Sequence, residues 1–252
     1  MPTYLYCVLA PASAESVPAG LTGIAGAPIR SLATAVAPLD AWVATVADDA
    51  LRVSGSALAA QALLHNQVIN AALAMGRTPA PARYGSRFPD DAACVADLTQ
   101  RSGELRAILD RVAGKVEMST LLVPRDKPAA PMQKPSVGDP AAGRRYLESI
   151  RTRVRDEEQR RSAADREAER IRATLGDLVQ DEARTFNAAG AMSIAHLVPA
   201  GAVDRYRQAM ASFAPNGNFR VVIGEPRAPY SFSSWLGAHR TGHDSGSPNR
   251  SE

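Results

Sequence analysis

Aromatic side chains are scarce in this sequence. They make up 5% of its 252 residues, so Ala, Val and Leu must fill any core. The apolar share of 45% is nevertheless ordinary for a globular protein and argues against wholesale disorder. The length is sufficient for one large domain or two modest ones.

Cysteine and long apolar runs are also nearly absent. The two cysteines, Cys7 and Cys94, form no CxxC pair and lie near no histidine cluster, so we expect buried free thiols and no disulfide framework. No run approaches the ~20 apolar residues of a membrane span. The opening MPTYLYCVLAPASA has no basic segment and only a very short apolar core, unlike a signal peptide. These features favour a soluble cytoplasmic protein without a membrane partner.

The sequence also lacks a strong excess of charge of one sign. The formal charge is +3, lysine is rare, and no dense basic stripe alternates with aromatics. Proteins that bind nucleic acid usually have such a stripe, so we expect no nucleic-acid partner.

The sequence has little that could carry chemistry. It contains no GxSxG, Walker A or GxGxxG motif. His65 and His196 lie within apolar segments and are interpreted as structural, hydrogen-bonded residues. His239 and His243 have a metal-like spacing, but they border a Gly- and Ser-rich tail without further ligands. We therefore expect no enzymatic activity, no cofactor and no metal site.

The first half of the chain alternates predicted strands with predicted helices. A helix over Ala57–Met75 is predicted by an apolar stripe at helical spacing, formed by Leu58, Ala62, Leu63, Val68, Ile69, Ala72 and Leu73. A second helix begins at Asp90 or Asp91 and ends at Gly114. The predicted strands are Tyr4–Ala10, Ile29–Ala37, Ala41–Ala47 and Lys115–Val123, and Pro81–Phe88 is predicted as a short strand or an extended loop. This order favours an α+β fold whose N-terminal domain, residues 1–123, is a ferredoxin-like sandwich.

The last of these strands alternates polar and apolar residues. Lys115, Glu117 and Ser119 are predicted on the outward side, with Val116, Met118 and Thr120 facing inward. Glu117 could be catalytic in principle, but an ion pair with Arg83 or Arg87 is the preferred interpretation.

The second half contains a long charged segment. Five prolines between residues 124 and 143 predict a linker, and Arg144–Thr185 then runs without proline. Apolar residues at three- and four-residue spacing predict one long helix or a helical hairpin, with 11 arginines against 10 acids between Arg144 and Arg184. A coiled-coil partner for this helix is the alternative to a solvated face. The C-terminal domain is predicted at 144–236, followed by a disordered tail at 237–252.

The aromatic-rich segment GEPRAPYSF, Gly224–Phe232, follows the apolar run FRVVI, Phe219–Ile223, which is the predicted last strand. Its two prolines favour extended backbone, so Tyr230 and Phe232 are expected on one side of the chain. They would pin the C-terminal segment either across a domain interface or locally within the second domain.

These pieces together resemble the gas vesicle protein F/L family. The resemblance depends on the order and spacing of YLYCVLA, HNQV at 65–68, PARYGSRF at 81–88, KVEM at 115–118, the charged helical stretch and PYSF at 229–232. It covers about residues 3–235. The sequence departs from the family pattern at two places. Arg227 and Ala228 stand where the family usually has a tryptophan and an extra proline, and Glu225 stands where it often has a glycine.

The resemblance implies a non-enzymatic accessory protein of gas vesicle formation. It also implies association with the small hydrophobic major shell protein, with other accessory proteins as further partners, and a place in the cytoplasm or on the vesicle. The partner-binding or structural candidates are Arg83, Tyr84, Glu117, Tyr230 and Phe232. The alternative is a ferredoxin-like regulatory protein that binds a small molecule in the glycine-rich loop Leu21–Pro28.

Overall fold

Two antiparallel sheets and five α-helices make up the described chain. The structure is a computed structural model, and it describes residues 2–11, 17–34, 38–125, 142–187 and 190–233. The described residues divide into two compact units, one containing residues 2–69, 80–108 and 233, the other residues 70–79 and 109–232. The predicted α+β class is confirmed.

The first unit is built around a sheet in the order β2-β3-β1-β4, with β5 also paired to β1. Every pairing in it is antiparallel. The central strand is fully buried, since each of its seven side chains is inaccessible. The strands are β1 Thr3–Leu9, β2 Arg30–Ala33, β3 Asp40–Thr45, β4 Ala80–Pro81 and β5 Arg87–Phe88.

Helices cover both faces of this sheet. Adjacent residues of a strand point to opposite faces; Tyr4 reaches His65 on α1, Gly55–Ala74, whereas Thr3 reaches Asp91 on α2, Asp91–Gln100. Asp90 caps α2, because its carboxylate accepts the Ala93 amide at 2.8 Å. The single helix predicted before Gly114 is in fact two helices, since α3, Ser102–Val112, follows a break at Arg101.

The second unit contains a sheet in the order β7-β8-β6-β9. Its strands are β6 Lys115–Pro124, β7 Asp181–Phe186, β8 Met192–Pro199 and β9 Phe219–Ile223. The strand predicted over Lys115–Val123 therefore lies in this sheet and not in the first. It pairs with β8 from Lys115 to Leu122 and with β9 from Thr120 to Pro124, so the two neighbours together cover its whole length.

The long charged segment forms a single helix. Helix α4 runs from Ala142 to Leu175, and a 3-10 turn at Gly176–Leu178 ends it, so the predicted hairpin is not observed. The last residues of the predicted segment are in strand β7. The C-terminal half of α4 and the short helix α5, Val203–Ala211, cover one face of the second sheet.

The core under α4 is apolar and continuous. Its fully or nearly fully buried members include Met118, Leu122, Ala168, Ile171 and Leu175. The first half of α4 differs, because Leu147 and Val154 there are 58% and 48% exposed. Among the side chains of α4 that the structure describes, those buried in this apolar core lie in the second half of the helix.

Several predictions fall outside the described residues. These are most of the predicted linker at 124–143, the predicted tail at 237–252, and both His239 and His243. The domain boundaries drawn there stay predictions. Cys7 and Cys94 are buried free thiols, as expected.

Candidate functional site

A buried carboxylate organises the C-terminal aromatic segment. Glu117 on β6 is fully inaccessible, although it belongs to the strand face predicted to point outward. One carboxylate oxygen, Oε1, accepts from Arg227 Nε at 3.0 Å and Nη2 at 2.6 Å. Ser231 donates its amide to Oε2 at 2.7 Å and its hydroxyl to Oε1 at 3.1 Å. Four charge-assisted donors thus compensate the buried charge.

The backbone reinforces this contact. The Glu117 amide donates to the Arg227 carbonyl at 2.8 Å, and the Arg227 amide returns a bond of 3.0 Å. The Gly224 amide donates to the Ser119 carbonyl at 2.8 Å. Residues 224–227 therefore continue the ladder that β9 makes with β6, which places the Arg227 side chain beside that of Glu117.

The predicted arrangement of this segment needs two corrections. Glu117 pairs with Arg227 and not with Arg83 or Arg87, because the register of the second sheet brings Arg227 opposite it. Tyr230–Phe232 is a 3-10 turn and not extended backbone, with the Phe232 amide donating to the Pro229 carbonyl. Tyr230 and Phe232 therefore do not share a side by strand alternation.

Phe232 anchors the turn in the second unit. Its side chain is 4% exposed and packs with Val112, Ala195 and Leu197. Arg111 donates to the Phe232 carbonyl at 2.8 Å and places its guanidinium carbon 5.8 Å from the ring centroid. Tyr230 is only half-buried. Local packing within the second unit is thus the role that the contacts of Phe232 support.

The PARYG segment, residues 81–85, belongs to a second cluster in the first unit. Tyr84 is half-buried and donates its hydroxyl to Gln61 on α1 at 2.7 Å, whereas Arg83 is exposed. The Arg83 carbonyl accepts hydrogen bonds from the amide and the hydroxyl of Ser86. The two candidates thus lie beside each other in a tight turn next to α1.

His65 is the centre of this cluster. Its Nε2 lies 3.1 Å from the Ala82 carbonyl and its Nδ1 lies 3.0 Å from the Tyr4 hydroxyl. The Gly85 amide donates to the same hydroxyl at 2.9 Å. A neutral imidazole with its proton on Nε2 satisfies this whole chain of hydrogen bonds. Burial lowers the pKa of His65 to about 4, against a smaller opposing effect of the Ala82 carbonyl.

The glycine-rich loop packs onto Tyr6 in the same cluster. The Ile24 amide donates to the Tyr6 hydroxyl at 2.9 Å, and burial raises the pKa of Tyr6 to about 12. The Gly23 and Gly26 amides donate within the loop, to the carbonyls of Ala27 and Gly23. A phosphate-type ligand would need such amides to be available. In this loop those three amides are already used to hold the fold.

A carboxylate, an imidazole and a hydroxyl lie in line in the second unit. His196 Nε2 is 3.1 Å from Glu182 Oε2, and its Nδ1 is 2.7 Å from the Tyr206 hydroxyl, which is 2.9 Å from the Thr120 hydroxyl. Burial opposes ionisation of Glu182, but hydrogen bonds from His196 and Arg184 outweigh it and lower its pKa. Burial raises the pKa of Tyr206 to about 12.

This Glu182–His196–Tyr206 row resembles a nucleophilic triad only in composition. The side chains of His196 and Tyr206 are completely inaccessible, so no substrate could reach the hydroxyl in this conformation. The hydroxyl also faces two polar partners. The row links β6, β7, β8 and α5, which is a structural function.

Another fully buried carboxylate, Glu167 on α4, holds the turn before β9. It accepts from Arg170 at 2.8 and 3.0 Å and from the amide and side chain of Asn216 at 2.9 and 2.8 Å. The sequence analysis assigned no hydrogen-bond partner to Glu167, Arg227 or Ser231. Arg170 is only three residues from Glu167, but the other partners, Asn216 of Glu167 and Glu117 of Arg227 and Ser231, are 49 to 114 residues away, so single-sequence patterns could not have paired them.

The surface of the first unit exposes apolar side chains, whereas the networks described above are polar and buried. On α1, Leu63 is 64% exposed, Leu58 41% and Leu64 38%. The apolar stripe predicted for this helix placed Leu58 and Leu63 with the buried Val68 and Ile69. The structure separates them, since the inner side of α1 also carries His65.

Metal-binding side-chain groups and membrane-spanning helices were both sought among the described residues. None of their His, Cys, Asp and Glu side chains form a group of three placed to bind a metal. No helix among them is both long and apolar enough to cross a membrane.

The sequence and the fold have clear relatives. The sequence model of the family described as "Gas vesicle synthesis protein GvpL/GvpF" matches residues 2–234. The crystal structure of the gas vesicle protein GvpF from Anabaena sp. PCC7120 is similar, with a TM-score of 0.67 and 18% identity, over 94% of this chain and 98% of that one. GvpF from Microcystis aeruginosa gives a TM-score of 0.64 at 16% identity, over 92% and 98%. No curated protein sequence matches the chain.

Proposed function

Because the chain belongs to the gas vesicle synthesis protein GvpL/GvpF family, we propose that it is a non-enzymatic accessory protein that binds the small hydrophobic gas vesicle shell protein during assembly. The observation that carries the proposal is the family match, which extends over residues 2–234. In this role the protein would shield or orient apolar surfaces of the shell subunit before these pack together. Its place of action is the cytoplasm and the growing vesicle.

The interior chemistry is consistent with a binding role. The polar clusters that could suggest catalysis, around His65, His196 and Glu117, contain buried side chains that hydrogen-bond to one another. What the first unit offers to a partner is an apolar helix surface and the turn with Arg83 and Tyr84. The loop Leu21–Pro28, the site of the ligand-binding alternative, uses the amides of Gly23, Ile24 and Gly26 internally.

The test is co-purification from cells that express the shell protein together with the tagged full chain. We expect the shell protein to be retained at moderate salt and to be absent from a parallel purification of an unrelated tagged protein. Retention should survive a rise in salt, since burial of apolar surface is not screened by ions. A folded chain that retains no shell protein in repeated purifications would contradict the proposal.

A further inference from the structure

Strand β9 leaves one edge of the second sheet open. It is the last strand in the order β7-β8-β6-β9, and β6 is its hydrogen-bonding neighbour. Every second residue bonds to β6 in such a ladder, and here the series includes the Asn218 carbonyl at one end and the Gly224 amide at the other. The backbone groups of Val221 and Ile223 lie between these even-numbered positions and therefore point away from the sheet.

These outward groups are available for a further strand. The corresponding groups of Phe219 are occupied, since its amide donates to the Asn216 carbonyl at 3.0 Å and its carbonyl accepts from Arg125 Nε at 3.2 Å. Within the described part of the chain, the outward amides and carbonyls of Val221 and Ile223 have no such partner. The edge thus offers two donors and two acceptors, and an open edge of this kind is a template for strand pairing.

The side chains along this edge are apolar and accessible. Val222 is 42% exposed and Ile223 36%. The opposite edge strand of the same sheet, β7, has the sequence DEARTF with three charged residues. Charged side chains normally protect an edge strand from pairing with another chain. Beyond Arg220, β9 has no charged residue, so of these two edges β9 is the one suited to association.

We propose that two copies of this chain pair through β9, antiparallel and around a two-fold axis at Val222; this inference goes beyond the proposed function and does not depend on it. In this register Val221 lies opposite Ile223 of the second copy. Each outward amide then meets an outward carbonyl, which gives four hydrogen bonds and leaves none of these groups unpaired. Val222 lies opposite Val222 of the second copy, where their apolar side chains are in contact.

The sequence around Val222 is self-complementary, which is why a second copy is the occupant. Near a two-fold axis each residue meets itself or a close neighbour, so a charge there would face its own kind. Residues 221–224 carry no charge. Arg220 lies opposite Gly224 of the second copy, which has no side chain, so its guanidinium remains in water. The register therefore places no like charges opposite each other.

The length of β9 sets the strength of this contact. A strand of five residues is about 17 Å long, so the pair buries less than the about 800 Å² per partner of a standard interface. Main-chain hydrogen bonds supply much of the affinity when a strand is added to an open edge. We therefore expect a weak, reversible dimer whose population rises with protein concentration.

The first experiment is sedimentation of the full-length chain from dilute to near-millimolar concentration, with a monomer at the low end and a dimer at the high end. Val222→Lys should raise the dissociation constant at least about tenfold, because two ammonium groups would face each other at the axis. Val222→Glu should do the same. An equimolar mixture of these two variants should recover the dimer, since opposite charges then meet. Val154→Lys is the matched control, because it changes a valine of α4 that is 48% exposed, and it should have no effect.

The second experiment traps the dimer covalently. In the proposed register the Cα atoms of the two Val222 residues are about 4.5 Å apart, which a disulfide can bridge. Val222→Cys should therefore link two copies on mild oxidation. Arg220→Cys should not, because that residue and its counterpart are four residues, or about 14 Å, apart along the strands. The native Cys7 and Cys94 are buried and should not react.

Several outcomes would overturn the inference, provided that urea midpoints show the variants to be folded. One is a chain that stays monomeric at every concentration and forms no disulfide through Val222→Cys. Another is a dimer that Val222→Lys leaves intact, or that the mixture of Lys and Glu variants fails to recover. If the chain is monomeric and Val222→Lys instead abolishes retention of the co-expressed shell protein, the edge pairs with that protein. Retention by the unchanged chain tests the proposed function separately.

Discussion

The Arg227 guanidinium donates two hydrogen bonds to a single oxygen of the Glu117 carboxylate, at 2.6 and 3.0 Å. The carboxylate is fully buried, whereas the arginine side chain remains 41% exposed. The pair joins β6 to the C-terminal segment across 110 residues of sequence. It therefore functions as a lock on the segment that ends in the aromatic turn.

Removal of the Glu117 carboxylate should loosen this lock. Glu117→Ala leaves the Ser231 amide and hydroxyl and the buried side of Arg227 without their acceptor. We expect a loss of about 2–4 kcal/mol in the free energy of unfolding, below the range for a fully buried pair because Arg227 is partly solvated. Urea unfolding followed by circular dichroism measures this loss.

The conservative variants provide the control. Glu117→Gln keeps one acceptor oxygen and should cost less than Glu117→Ala. Arg227→Lys should fall between the unchanged chain and Arg227→Ala, because a lysine cannot reproduce the paired Nε and Nη2 contact. Equal stability of Glu117→Ala and the unchanged chain would exclude a locking role for the pair.

The two aromatic residues of the turn should contribute unequally. Phe232→Ala removes a ring that is 4% exposed and packed on Val112, Ala195 and Leu197, so we expect a loss of about 3 kcal/mol. Tyr230→Ala removes a half-buried ring and should cost less than half as much. Thermal unfolding of the two single variants and the double variant tests the order. A larger loss for Tyr230→Ala would contradict the anchoring role given to Phe232.

Acid should weaken the first unit through His65. The pKa of this residue falls from 6.5 to about 4 on folding, so the unfolded chain binds its proton first as the pH is lowered. Stability from this residue is complete above pH 6.5 and is lost down to about pH 4, by about 3 kcal/mol in total. Below pH 4 both states are protonated and no further loss follows.

A His65→Gln variant isolates this effect from other acid-sensitive groups such as Glu182. Its free energy of unfolding should start lower at pH 7 and change less between pH 6.5 and 4 than that of the unchanged chain. Urea unfolding at several pH values gives both curves. Parallel curves over this interval would show that His65 does not titrate as its burial implies.

Gly23 should tolerate no side chain. An added Cβ would lie 2.7 Å from Tyr6 Cζ, closer still to its hydroxyl oxygen, and 3.0 Å from Ile29 Cδ1. We expect Gly23→Ala to cost about 2 kcal/mol or more, since the buried ring cannot move freely. Adding Tyr6→Phe should recover part of that loss by removing the hydroxyl.

Gly103→Ala is the matched control. It lies in α3, where an added Cβ meets no atom within 4 Å, so it should be neutral or stabilising by up to about 1 kcal/mol. Urea midpoints of the three variants give the comparison. A Gly23→Ala variant as stable as Gly103→Ala would mean that the loop does not press on Tyr6.

Local patterns predicted most of the secondary structure. Helical spacing predicted both ends of α1 and the start of α4 within two residues, but α4 ends at Leu175, ten residues before the end of the predicted segment. Asp90 was one of the two predicted caps of α2, because capping depends only on neighbouring residues. The fold class was predicted correctly and the family resemblance was confirmed. Strand partners were not predictable, because pairing joins residues far apart in the chain, as β6 with β8 shows.

For the candidate residues too, local features were predicted correctly and long-range partners were not. The sequence correctly identified His65 and His196 as hydrogen-bonded interior residues from their apolar neighbours. It assigned Glu117 to Arg83 or Arg87, and it overlooked Arg227 and Ser231, since only the register along β6 brings them together. It also placed Leu63 in the core, because apolar spacing alone does not reveal which side of a nearly uniformly apolar helix faces the sheet.

By itself the sequence determined the alternation along Lys115–Val123: Lys115, Glu117 and Ser119 lie on one side of β6, and Val116, Met118 and Thr120 on the other. That alternation follows from strand geometry and needs no partner. Only the tertiary structure decided that Glu117 is covered, because residues 224–227 continue past β9 beside β6 and the turn at Tyr230–Phe232 then packs over that side of the sheet. A carboxylate that would otherwise face water is thereby buried, and four hydrogen bonds from Arg227 and Ser231 compensate its lost hydration.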